Sequence, residues 1–233
     1  DECVLVFHTQ PCDDNGTDLP RVHRHLCPEY DICFTYEKGG AFDDNNMNLL
    51  FNSADVYINL ASNEGFGLGS AEAITVGTPI IVNVTGGLQD QCGFKLKKYS
   101  PDNSGFTEEF ITSKDYKEIK SLHDDTKWEN NKDLTHGEWV KPVWPKTRSI
   151  QGSIPTPYIF DDRCRWDEVA NKIKEWYDME KEEREECGMK GREFVLSDDS
   201  MMSSKHMCEN FVNHMETAFE KWKPRKRYSI FKA

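Results

Sequence analysis

Ser62-Asn63-Glu64-Gly65-Phe66-Gly67-Leu68-Gly69-Ser70-Ala71-Glu72-Ala73 is the stretch that decides the fold. Upstream stands a strand-like run, Asp55-Val56-Tyr57-Ile58-Asn59-Leu60. Downstream, a short helix-like segment ends at Gly77, and Pro79 and the apolar run Ile80-Ile81-Val82 follow. Strand, glycine-rich turn, helix and strand make a βαβ unit. Glycine has no Cβ, so such a turn lets a ligand approach the backbone. The helix start offers unpaired N–H groups and partial positive charge, which suit a phosphate. Glu64 precedes the turn and Glu72 lies in the first helical turns. Carboxylates repel a phosphate but accept hydrogen bonds from hydroxyls. A phosphate between two polyhydroxylated parts, as in a nucleotide-sugar, fits both features.

Working outward, residues 4–7 form a continuous apolar run and predict a buried strand. Residues 18–27 predict a helix with Leu19, Val22 and Leu26 on one face, and residues 32–36 a second strand. Residues 43–53 predict another helix. Strands alternating with helices imply a Rossmann-like parallel α/β sheet with helices on both faces. Ligands bind such sheets beyond the carboxyl ends of the strands, where Glu64 and Gly67 fall. After residue 155, a helix follows with Trp166, Val169, Ile173, Trp176 and Tyr177 at helical spacing. Residues 180–186 are charged, residues 188–196 predict a short helix, and residues 200–222 a long one. The long helix carries Met207, Phe211, Met215, Ala218 and Phe219 as an apolar stripe, expected to pack in the core.

The 233 residues carry a net charge of −12, which argues against a nucleic-acid-binding surface. An anionic ligand then needs a locally positive site. Eight cysteines are present, none in a Cys-x-x-Cys pair, and no signal peptide or membrane-length apolar run occurs. Reduced, mostly buried thiols in a cytoplasmic protein are expected. His23, His25 and Cys27 with Cys12 match no common zinc spacing, so no metal is expected there.

Glu64 and Glu72 enclose seven residues, with Gly65-Phe66-Gly67-Leu68 directly after the first. Ala54-Asp55 lies upstream, and Gly77-Thr78-Pro79-Ile80-Ile81 and Gly86-Gly87-Leu88 downstream. The combination resembles the C-terminal donor-binding domain of retaining GT-B glycosyltransferases of the GT4 group. The resemblance is dense over residues 36–94 and weaker over residues 158–222. It implies sugar transfer from a nucleotide-sugar such as a UDP- or GDP-sugar, with retention of configuration and without metal. The acceptor, whether glycan, lipid or protein, stays open. By resemblance Glu64, the residue at the catalytic position, contacts donor-sugar hydroxyls as a positioning group, and Glu72 holds the ribose hydroxyls. Gly65 belongs to the same donor-binding turn, and by resemblance the backbone N–H groups of Phe66, Gly67 and Leu68 meet the sugar and distal phosphate.

The resemblance also sets expectations for the rest of the chain. The donor domain comprises residues 1–94 and 155–222, residues 95–154 are an insertion, and residues 223–233 a basic tail. The family's first strand–helix unit, with its basic pyrophosphate loop, and its N-terminal acceptor domain are not in this sequence. A longer chain or a partner is expected to complete the cleft. Lys141, Lys146 and Arg148 are either a substitute for the missing basic pair or solvated charges. Gly86 and Gly87 are either a tight turn or donor contacts, and Tyr36, Glu37 and Lys38 either an ordinary loop or a base site. The basic tail is expected to be a solvated end rather than a membrane anchor. The inserted region and residues 158–166 resemble glycosyltransferase-like proteins of large viruses and phages. Against the transferase reading stands a catalytically incomplete binding or structural module of the same fold. A nucleotide-sugar epimerase or a phosphorylase fits the Glu64–Glu72 pattern less well.

Overall fold

The computed structural model describes residues 3–13, 16–36, 40–102, 104–111, 129–152 and 158–224. Glu37, Lys38, part of residues 95–154 and the basic tail from residue 225 lie outside them. The fold is mixed α/β in two compact units, residues 1–53 and 54–233.

The first unit holds β1 (Leu5–Phe7), α1 (Leu19–Leu26), β2 (Ile32–Phe34) and α2 (Asp44–Ser53). β1 and β2 pair in parallel, Leu5 opposite Ile32 and Phe7 opposite Phe34. Helix α1 starts where predicted, because the Asp18 carboxylate accepts the Arg21 N–H at 2.9 Å and a proline sits in the first turn. His8 ties the ends of both strands together. One ring nitrogen meets the Thr35 hydroxyl at 2.8 Å, and the other accepts the Phe42 N–H at 3.2 Å. Tyr36 lies beside the same ring. The apolar run at residues 4–7 is a strand but not a buried one, since Val4, Leu5 and Val6 are all exposed. Among the described residues β1 pairs only with β2, and the faces onto which its side chains project stay open to solvent. His23 donates to the Tyr30 carbonyl at 2.7 Å, a local turn contact.

The second unit is built on β3 (Tyr57–Asn59), β4 (Ile80–Asn83) and β8 (Val140–Val143), all parallel in the order β3-β4-β8. Every residue of β4 is buried, as a central parallel strand requires. Helix α3 (Leu68–Val76) packs on β3 and β4, and α5 (Trp166–Tyr177) on β4 and β8. Ile81, Val143, Val169, Trp176 and Cys187 form one core cluster. Helix α6 (Lys181–Leu196) lies against α3. Glycine makes this contact close: a Cβ on Gly188 would stand 1.8 Å from the Gly77 carbonyl oxygen. The charged residues 181–186 belong to α6, so this helix begins seven residues before the predicted start at 188. Glu182 and Glu183 sit in its first turn, where the helix dipole favours acid.

The expected insertion needs redrawing. It does contain an excursion, the antiparallel sheet β6-β5-β7 formed by β5 (Lys95–Tyr99), β6 (Phe106–Phe110) and β7 (Leu134–Thr135). It also contains β8, a strand of the core sheet, and β9 (Thr147–Gln151), which pairs antiparallel with β10 (Ile159–Arg163). β8 carries Lys141 and Pro142 and so lacks the plain apolar pattern of a core strand. Trp139, just before it, fills a slot among Gly93, Gly137 and Gly191 and stacks on Phe194 with ring centroids 4.6 Å apart.

Helix α7 (Ser204–Lys221) starts at a Ser203 cap, but its apolar stripe is not core. Met207, Phe211, Met215 and Phe219 are all exposed, and no residue of the helix is buried. A helical apolar stripe reports that a helix is amphipathic, not that a neighbour covers it. Trp166 and Tyr177 of α5 are exposed for the same reason. Of the eight cysteines, Cys92 and Cys187 alone are buried, so the expectation of mostly buried thiols does not hold. No described helix is long and apolar enough to cross a membrane.

Candidate functional site at the β3–α3 turn

The site residues come together where β3 and β4 end. Glu64, Gly65, Phe66 and Gly67 form the turn after β3, and Leu68 opens α3. Gly67 is the N-cap, with φ +87°, and no side chain caps the helix. A Cβ at Gly67 would meet Leu88 Cδ2 at 2.5 Å, so both its φ and its surroundings require glycine. The first N–H groups of α3 therefore have neither an intrahelical acceptor nor a side-chain cap. This is the electrostatic setting for an anion. The Glu64 carboxylate accepts the N–H of Gly65 at 3.0 Å, which turns it back over the start of the loop. Glu72 is exposed, one turn further into α3 than the N–H groups. Phe66 and Leu68 present exposed side chains beside them.

Gly86 and Gly87 touch the site through its backbone. The Gly87 N–H donates to the Glu64 carbonyl at 3.1 Å. A Cβ on Gly86, at φ +49°, would stand 1.9 Å from that oxygen, and one on Gly87 2.3 Å from the Gly65 carbonyl oxygen. The two glycines let the β4–α4 loop lie flat against the Glu64 turn, where α4 is Leu88–Gln91.

Three residues that sequence reasoning did not single out complete the setting. Tyr57 ends beneath the first turn of α3: a Cβ on Gly69 would lie 2.4 Å from its hydroxyl oxygen. Burial raises the Tyr57 pKa, and the negative charges of Glu72 and Glu64 raise it further. Its hydroxyl thus lies in the field of both glutamates. Asn83, fully buried at the end of β4, donates to the Ala61 carbonyl at 3.0 Å and the Asp162 carbonyl at 2.7 Å. Asp162, itself buried, gives its N–H to the Ser62 carbonyl at 2.7 Å and accepts from the Thr85 hydroxyl at 2.9 Å. The segment entering the Glu64 turn is therefore pinned to two strands.

The basic residues weighed as substitutes for a pyrophosphate pair are all engaged within the chain. Arg148 forms a two-point ion pair with Asp162, at 2.5 and 3.0 Å. Lys146 bridges Glu129 at 2.5 Å and Glu168 at 3.4 Å. Lys141 lies 3.6 Å from Glu175 and over the Trp176 ring. Among the described residues, no group of three or more His, Cys, Asp or Glu side chains is placed to hold a metal ion.

Residues 41–130, which span the turn, both glutamates and the Gly86–Gly87 loop, match the family model described as GT4-conflict, Family 4 Glycosyltransferase in conflict systems. The chain also superposes on sucrose-phosphate synthase from Thermosynechococcus elongatus, with a TM-score of 0.52 and 18% identity over 93% of its own length. It spans 38% of that protein's length. Comparison with curated proteins gives no match. The stretch matching the family 4 model thus contains the turn, and the chain around it shares the α/β fold of that synthase.

Proposed function

We propose that this chain binds a nucleotide-sugar at the β3–α3 turn and supplies the donor half of a sugar-transfer reaction that retains anomeric configuration without a metal. The observation that carries the reading is the start of α3, N-capped by Gly67 with no side-chain cap and set between Glu64 and Glu72. In this reading the N–H groups of the turn neutralise the diphosphate as it departs, a preorganised electrostatic role. Glu72 accepts the ribose hydroxyls, and Glu64 orients the sugar through its hydroxyls. The base and the acceptor meet residues outside the turn, and a further domain, in cis or in trans, forms the opposite wall of the cleft. Because Arg148, Lys146 and Lys141 are occupied by acidic partners, the phosphate charge falls on the backbone N–H groups. The same engagement favours a second reading, a module that binds the donor but transfers little by itself. The family's description, glycosyltransferases in conflict systems, agrees with a transferase of viral or phage-like setting.

Calorimetric titration of the chain and of Glu72→Ala with UDP-glucose, GDP-mannose, UDP-N-acetylglucosamine, UDP and GDP tests the reading. Saturable binding by one nucleotide class, lost in the variant, is the expected result. Binding by none, or binding that Glu72→Ala leaves intact, overturns it. Release of free nucleoside diphosphate on adding acceptor extracts separates a working transferase from a binding module.

A further inference from the structure

Gln91 closes helix α4, and its side chain is fully buried. Its side-chain amide nitrogen donates twice, to the Phe66 carbonyl at 2.6 Å and to the Gly67 carbonyl at 3.0 Å. Its own backbone carbonyl accepts the Trp139 indole N–H at 3.0 Å, which holds the end of α4 in place. Among the described residues the side-chain oxygen has no hydrogen-bond partner.

That imbalance is informative. A buried acceptor without a partner is destabilising, whereas an apolar side chain of the same size there carries no such cost. Packing alone therefore does not call for glutamine. The two N–H donors do, and both act on consecutive peptide carbonyls of the turn.

All peptide bonds here are trans, so each carbonyl and the N–H bonded to the same peptide point in opposite directions. Drawing the Phe66 carbonyl toward α4 aims the Gly67 N–H the other way. Drawing in the Gly67 carbonyl does the same to the Leu68 N–H. The Gly67 carbonyl is held additionally by the Ala71 N–H and the Ser70 hydroxyl, each at 3.0 Å, while the Phe66 carbonyl lies outside the helix and depends on Gln91. Left-handed Gly67 is the flexible joint between the two peptides.

We infer that Gln91 is a positioning residue that fixes two successive backbone N–H groups, of Gly67 and Leu68, as a preformed anion clamp for the donor diphosphate. The inference rests on the nucleotide-sugar reading of the same turn. Gln91 does not touch the ligand; it sets the direction of the groups that do. Preorganised donors of this kind need no reorientation when the anion arrives.

The test is Gln91→Leu, with Gln91→Met as a second variant of nearly equal volume, each checked for an unchanged unfolding midpoint. Amide NMR and calorimetry follow binding of UDP, GDP and the matching nucleosides. Wild type should show Gly67 and Leu68 amide resonances shifting on nucleoside diphosphate. In the variants the diphosphate should bind about tenfold to hundredfold more weakly, as the loss of charge-assisted contacts implies. The Gly67 and Leu68 shifts should shrink, and nucleoside affinity should hold. If diphosphate affinity and both shifts persist in a folded variant, the positioning role is wrong and the donor site stands. If wild type binds no nucleotide at all, the donor reading itself falls and the inference with it.

Discussion

Replacing Gly86 with alanine tests whether the β4–α4 loop sets the shape of the Glu64 turn. Gly86 has φ +49°, where a side chain costs about 1–2 kcal/mol. Its new Cβ would also stand 1.9 Å from the Glu64 carbonyl oxygen and 3.0 Å from the carbonyl carbon. Both atoms are backbone, so no rotamer relieves the contact. Restoring ordinary van der Waals distance requires the loops to part by about 1.5 Å. The hydrogen bond from Gly87 N–H to the same oxygen, 3.1 Å long, does not survive that shift, at a further cost of about 0.5–1.5 kcal/mol. The total is about 2–3 kcal/mol, or roughly 5–10 °C in Tm for a chain of this size. Gly65→Ala is the control, because no other atom lies within 4 Å of its Cβ position and its φ is ordinary. Its stability should stay within about 0.5 kcal/mol of wild type. Its methyl group nevertheless enters the space that the donor is proposed to fill, so donor affinity should fall. Thermal and urea denaturation with calorimetric titration read both effects. A Gly86→Ala chain as stable as wild type, or a Gly65→Ala chain as damaged as Gly86→Ala, would refute the reasoning.

Three further predictions follow from the second unit. Trp176→Ala empties the centre of the Ile81–Val143–Val169 cluster and should cost about 3–5 kcal/mol by denaturant titration; a loss below about 1 kcal/mol would mean that the cluster does not depend on it. Tyr57 should titrate above free tyrosine, first because it is buried and second because of Glu72 and Glu64, so Glu72→Gln should lower its pKa in an ultraviolet pH titration. An unmoved Tyr57 titration would separate the two side chains. His136 keeps solvent exposure, but partial desolvation of its ring, helped by the Lys141 and Lys172 charges, depresses its pKa below the ordinary 6.5, so the unfolded chain binds the proton more readily there. Stability should then be full above that value and fall as pH drops through the depressed folded value, measured by urea titration between pH 7.5 and 5. His136→Gln should flatten the decline, and an unchanged slope in the variant would assign it elsewhere.

The elements that were legible in the sequence are those whose signal is local. The Ile80–Asn83 strand is a continuous apolar run and is fully buried. Gly77 and Pro79 end α3 where the pattern says, with Gly77 at φ +91°. The failures have a common physical form. The apolar runs at residues 4–7 and along α7 state which face is hydrophobic, but coverage is a tertiary fact. The strand Val140–Val143 was hidden inside a presumed insertion because lysine and proline interrupt its pattern. Pro142 has no N–H to give, yet among the described residues β8 pairs only with β4, so this strand stands at the sheet edge where proline is tolerated.

The site divides along the same line. Glu64, Glu72 and the glycines between them are close in sequence, and the spacing alone places them around one helix start. The groups that hold the turn come from far along the chain. Gln91 reaches carbonyls 24 and 25 residues earlier, and Asn83 and Thr85 meet Asp162 across 79 and 77 residues. No local pattern distinguishes a glutamine that aims two peptide groups from one on a helix surface. What could have raised suspicion is Gln89-Asp90-Gln91 itself: three polar residues directly after Gly86-Gly87-Leu88, in a segment otherwise passing through the core. A buried polar side chain in such a place is kept for its hydrogen bonds rather than its volume. The two carbonyls that Gln91 holds belong to the turn on which the donor reading depends. On the proposed donor reading the sequence motif names the groups that would meet the ligand, and the fold supplies the distant amide that holds two carbonyls of their turn.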